Sequence, residues 1–148
     1  MTPEEMKRRT KRFAIAIIQF ARGLPRDPVT AIMTRQLVKS GTSVGANYRS
    51  SCRAKSAADF ISKMTTAEEE GDETLFWLEV LVEAKVITTE DAAWLLDEGD
   101  QLVRIIVASI KTKRANLAHP QSNPQSNPQS NPQSQIRDPK SQASRRRS

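Results

Sequence analysis

SAADFISKMTTAEEEGDETLFWLEVLVEAK, residues 56–85, carries apolar or small side chains at Phe60, Met64, Ala67, Gly71, Leu75, Leu78 and Val82. Steps of three and four keep those positions on one side of an α-helix, whereas a strand would need alternation at every second residue. Ser56 stands three residues before Asp59, a capping-box type of helix start with Asp in place of the usual Glu. The spacing therefore predicts a helix from Ser56 to about Lys85.

The flanking sequence repeats this logic. Thr2-Pro3-Glu4-Glu5 offers a capping hydroxyl, a first-turn proline and two acids, and Gly23-Leu24-Pro25 stops the helix it opens. Asp27-Pro28 opens another, to about Ala54, and Thr88 or Thr89 with Glu90 and Asp91 opens the last, to about residue 116. Phe13, Ile17 and Phe20 share a face of the first helix, with Met33, Leu37, Val44 and Tyr48 on the second. Leu95, Leu102, Ile106 and Ile110 do so on the fourth. Short connections favour antiparallel neighbours, so the expectation is an all-α, antiparallel up-down four-helix bundle over residues 1–116. Gly41 and Gly45 lie side by side on the second helix. Each costs about 1 kcal/mol relative to alanine, which close helix–helix approach would offset. A phosphate-binding loop does not fit SGTSVGAN, which lacks the following Gly-Lys-Ser/Thr and follows no strand.

Residues 117–148 are built differently. Pro-Gln-Ser recurs at Pro120, Pro124, Pro128 and Pro132, and the chain closes on Arg145-Arg146-Arg147. Such composition has nothing to bury and reads as a disordered, low-complexity basic tail. The net charge of +6 is unevenly spread. Residues 1–63 carry 13 basic and 4 acidic side chains, and residues 64–100 carry 1 and 12. On the second helix Arg35, Lys39, Arg49 and Arg53 form a stripe opposite the apolar face, and Arg8, Lys11 and Arg22 do the same on the first. Pairing with the acidic third helix accounts for part of this charge. The outward direction of the stripe suits phosphate contacts on RNA or another nucleic acid, without base readout. Aromatic residues are 5% of the chain, too few for base stacking to dominate.

A second surface is apolar. Phe76, Trp77 and Val80 fall off the inner face of the third helix, as Ile15 and Ile18 do on the first. A bundle of this size has no further element to cover them, so they are expected to form an oligomer interface, with self-association preferred over a different partner.

Catalysis and cofactors find little support. The single His119 and single Cys52 exclude an intrachain disulfide, a multi-cysteine metal site and a histidine-based dyad in the bundle. Cys52 then reads as a small packed residue. Glu68, Glu69, Glu70, Asp72 and Glu73 lack the histidines that a di-iron bundle requires, so they read as a solvated face. No enzyme, metal or cofactor is expected. The absence of a spanning apolar run and of a signal-peptide core leads to the expectation of a cytoplasmic protein with no membrane association.

Residues 36–84, QLVKSGTSVGANYRSSCRAKSAADFISKMTTAEEEGDETLFWLEVLVEA, resemble the four-helix bundle proteins encoded in intervening sequences of bacterial 23S ribosomal RNA genes. SGTSVGANY and the DF…EE…ETLFWLE pattern carry the resemblance, which extends over about residues 8–115. It implies a bundle that assembles into a ring, a homopentamer. Within it Asn47, Tyr48, Arg49 and Asp59 look like pattern residues. A more distant resemblance is to the accessory protein of diversity-generating retroelements, which binds nucleic acid and a reverse transcriptase; by fold analogy a reverse transcriptase becomes a candidate partner here. Two functions from different classes follow: a homo-oligomeric nucleic-acid binder, or a scaffold that docks another protein on the apolar side of the third helix.

Overall fold

A computed structural model describes residues 1–120. It contains four helices, α1 (Pro3–Arg22), α2 (Pro28–Ser51), α3 (Ala57–Glu83) and α4 (Thr89–Ala118). The Pro-Gln-Ser repeats and Arg145-Arg146-Arg147 lie outside the described residues. Every helix starts on a side-chain cap. Thr2 with Glu5 and Thr88 with Asp91 form reciprocal capping boxes, and the Asp27 carboxylate accepts from the Val29 and Thr30 amides. At α3 the Ser56 hydroxyl accepts from the Asp59 amide, but the Asp59 carboxylate accepts from the Lys55 amide, one residue earlier than a full box requires.

Two ends differ from expectation. α2 stops at Ser51 rather than near Ala54, because the chain turns through Arg53 N–H to Ser50 and Ala54 N–H to Ser51 carbonyls. Cys52 is consequently an exposed capping residue, not a packed one. α3 closes with Lys85 in the left-handed region (φ 62°), the Val86 amide donating to Leu81 and the Lys85 amide to Val82. Glycine usually occupies that position, and a side chain there costs about 1 kcal/mol.

The helices run antiparallel around a single core. On α1 and α2, Ile17 faces Gly41 and Thr10 faces Gly45. On α2 and α3, Val44 faces Gly71 and the Thr74 hydroxyl donates to Ser40 Oγ at 3.0 Å. On α3 and α4, Val103 faces Gly71 and Leu75 faces Gly99. In each pair one residue number rises as the other falls. α1 meets α4 along its narrowest seam, joined by the Arg9 guanidinium, which donates to both Glu98 carboxylate oxygens and to Gln101. α1 and α3 occupy diagonal corners. Phe13, Ile17, Leu37, Val44, Met64, Leu78, Leu81, Leu102 and Ile106 fill the centre. The expected Leu75 and Val82 are only half-buried, and α3 instead turns Thr74 and Leu81 inward.

The caps make stability acid-sensitive. Bonding to the Thr2 backbone and hydroxyl holds Glu5 below its ordinary value, and Thr30 and Thr88 do the same for Asp27 and Asp91. Lys63, then the Lys55 amide, lowers Asp59. Four depressed carboxylates add stability that is complete above the unfolded values, 4.5 for Glu and 3.8 for Asp, and is lost as pH falls through the lower folded values. Glu70, raised chiefly by burial and then by Glu73, works in the opposite direction. Thermal melts followed by circular dichroism should give a Tm that is level from pH 7 to about 5 and declines below about 4. A Tm that climbs on acidification to pH 3 would contradict the cap assignment.

Candidate nucleic-acid interface

Small residues open a groove between α1 and α2. Gly45 lets α2 approach Thr10, where an added Cβ would lie 3.2 Å from the Thr10 Cβ, and Ala14, Thr42 and Ala46 keep the floor shallow. Over this floor stand Lys7, Arg8 and Lys11 from α1, Arg49 from α2 and Arg53 from the turn that follows it, around a cavity of ≈ 410 Å³. Glu4 is the one carboxylate on the rim, and it is paired with Lys7 at 3.1 Å. Antiparallel packing explains the convergence, since the start of α1 lies beside the end of α2.

The other expected cations fall elsewhere on the same side. Arg22, Arg35 and Lys39, joined by Arg26 of the connecting turn, surround a second cavity of ≈ 580 Å³ floored by Leu24, Pro25, Ala31 and Val38. The seven candidates therefore form two basins on one flank, not one continuous stripe. Lys7 and Arg26 fall outside the two helical stripes; the i, i+4 spacing of Lys7 to Lys11 and the turn position of Arg26 are the sequence signals that point to them. Among the described residues, Arg8, Lys11, Arg22, Arg26, Arg35, Lys39, Arg49 and Arg53 have no carboxylate within 4.0 Å, whereas Arg9, Lys63 and Arg104 do. Lys39 is close enough to Glu70 to oppose the upward shift of that carboxyl.

The four pattern residues separate by role. Asn47 donates from its amide to the Ser43 carbonyl on its own helix, and Asp59 caps α3. Tyr48 is buried, and burial followed by the adjacent Cys52 thiol pushes its hydroxyl up to about 12. Arg49 alone of the four lines the groove.

The apolar candidates also divide. Phe76 is 52% exposed and Ile15 48% exposed. Ile18 and Val80 are half-buried, and Trp77 packs on the core edge, in a T-shaped contact with Phe76 at 5.0 Å. Val29, Ile32 and Trp94 are exposed as well, Trp94 beneath the Arg12 guanidinium. Among the described residues no group of three potential metal ligands converges, and no helix is long and apolar enough to cross a membrane.

Residues 4–108 match the family described as 23S rRNA-intervening sequence protein. The chain belongs to that family. The matched span includes the whole α1/α2 groove and the Phe76 surface, and excludes the last turns of α4 and everything after them. The chain is also similar to a solved structure of a protein with unknown function from the S23 ribosomal protein family of Bacteroides thetaiotaomicron VPI-5482. The two are 33% identical, over 72% of this chain and 98% of that one, with a TM-score of 0.68. No curated protein matches the chain.

Proposed function

We propose that this protein is a non-catalytic, homo-oligomeric bundle that binds the phosphate backbone of RNA or another nucleic acid in the α1/α2 groove. The observation that carries this reading is the convergence of Lys7, Arg8, Lys11, Arg49 and Arg53 on a floor of small side chains. Four of these five have no internal carboxylate partner among the described residues, so their charge is directed to solvent. A phosphodiester backbone supplies anions at regular intervals and releases counterions when it binds such a row. The groove offers no aromatic side chain for stacking, which favours backbone contact over base recognition. Self-association would present several grooves to one polyanion and raise a weak affinity by avidity. The family resemblance of residues 36–84 supports a ring of five copies.

A salt titration with a structured RNA tests the reading. Five groove cations predict a slope of log K against log salt of about −3.5 to −4.5. The combined replacements Arg8→Gln, Lys11→Gln, Arg49→Gln and Arg53→Gln should remove most of that slope, each contact accounting for about one unit. Absence of binding at about 50 mM salt, or an unchanged slope in the fourfold variant, would reject the groove. Capture of a protein partner from nuclease-treated lysate with no RNA affinity would favour the scaffold reading instead.

A further inference from the structure

We infer that the Phe76 surface of α3 docks on the Ile15 surface of α1 in a second copy of this chain, head to tail. The inference rests on the self-association proposed above and specifies the two faces that meet. Phe76 points away from the core, and its helical neighbours at three and four residues are Asp72, Glu73, Glu79 and Val80, with Glu69 and Glu83 one turn further out. An exposed aromatic ring thus sits inside an acidic surround. Ile15 is its counterpart of opposite sign. Its neighbours are Lys11, Arg12, Ile18 and Gln19, with Arg8 and Arg22 one turn beyond, and no carboxylate occupies any of these positions.

Two features prevent the surfaces from satisfying each other within one molecule and allow them to do so between molecules. α1 and α3 lie at diagonal corners, so the bundle itself separates the patches. They nevertheless share a height. Phe13 of α1 and Leu75 of α3 both face Gly99 of α4, which places Ile15 and Phe76 within about one helical turn of the same level. A second copy rotated about an axis along the bundle would bring its α3 against α1 with no sliding, apolar centre on apolar centre and acidic rim on basic rim. Such a contact is heterologous: each copy uses one patch on each side, and the unsatisfied patches at the ends disappear when a ring closes. Complementary rims of this kind fix register and reject like-charged alternatives.

Charge reversal tests the pairing, with light scattering as readout and circular dichroism as a check on the helices. The variants are Asp72→Lys with Glu79→Lys on α3, and Arg12→Glu with Arg22→Glu on α1; none of the four residues lines the α1/α2 groove. Each double variant alone should self-associate about 100-fold more weakly than the natural chain. A chain carrying all four reversals should recover the natural mass, because every contact then sets a reversed α3 against a reversed α1, whatever the number of copies in the ring. Phe76→Ser should also yield monomer, without a charge change. A natural chain that is monomeric would overturn both this pairing and self-association. Oligomers that survive either double reversal, or a fourfold reversal that fails to recover while the natural chain assembles, would overturn the pairing alone.

Discussion

Replacing Gly41 by alanine should cost the bundle about 1–2 kcal/mol net, and replacing it by leucine about 3 kcal/mol or more. Helix propensity alone predicts the opposite sign, since alanine is favoured over glycine by about 1 kcal/mol in a helix interior. The difference lies in what a side chain would meet. A Cβ at position 41 would stand 2.8 Å from Ile17 Cγ1 and 2.9 Å from Cγ2. Ile17 is fully buried, and its two branches fill two of the three staggered positions, both directed at Gly41. Rotation about χ1 leaves at least one branch in the way. The helices must separate, which opens voids along the α1/α2 seam that also forms the groove floor.

Gly71 is the informative contrast. A Cβ there would meet Val103 Cγ2 at 2.6 Å, but the next Val103 atom, Cβ, is 4.0 Å away. Val103 is only half-buried and has one rotamer that directs its hydrogen at position 71. Gly71→Ala should therefore stay within about 1 kcal/mol of the natural chain, the rotamer cost offset by propensity. Urea unfolding measures both. Ile17→Ala, itself costly by about 2–5 kcal/mol, should absorb most of the Gly41→Ala penalty in the double variant, because the obstructing branches are gone. Equal or greater stability of Gly41→Ala in the natural background would refute the close approach.

Helix starts were legible because capping is local chemistry. Thr2, Asp27, Ser56 and Thr88 each announce a helix by a side chain that reaches two or three residues ahead. Helix ends were less so, since the stop of α2 at Ser51 depends on a turn with no glycine or proline to mark it, and that is why Cys52 came out exposed. The phase of α3 was blurred for another reason. LFWLEVLV is apolar at nearly every angle, so periodicity favoured Leu75 and Val82, while the packed face uses Leu81 and the polar Thr74. Thr74 is tolerated inside because it donates to Ser40 and lies within reach of the Glu70 carbonyl, and no single-helix pattern shows that partnership. Each basic stripe was visible on its own helix. The division into two basins was not, because it depends on where α1 crosses α2, and that crossing is set by Gly41 and Gly45 meeting Ile17 and Thr10.

The largest effect on nucleic-acid binding is expected from a residue that carries no charge. Ala46 is exposed on the groove floor, with Arg49 one turn along α2, Arg53 in the turn after it, and Arg8 and Lys11 across the seam. Ala46→Glu places a carboxylate where a phosphate would pass, and the new side chain can also pair with Arg49 three residues on, withdrawing a cation from the ligand. Glutamate is nearly as good a helix former as alanine at an exposed site, so the fold should be retained. Like charge set against an incoming phosphate costs several kcal/mol, which corresponds to a loss of about 100-fold or more in affinity at low salt. Ala93→Glu, on the exposed side of α4, is the matched control, because it changes the net charge by the same amount far from the groove. Steering by net charge alone would weaken RNA binding equally in both variants. A local groove requires Ala46→Glu to fail where Ala93→Glu binds nearly as the natural chain does. Equal losses in a filter-binding or anisotropy titration would mean that the protein attracts polyanions by its overall charge, and the convergence of α1 and α2 cations would then be a consequence of packing rather than a binding site.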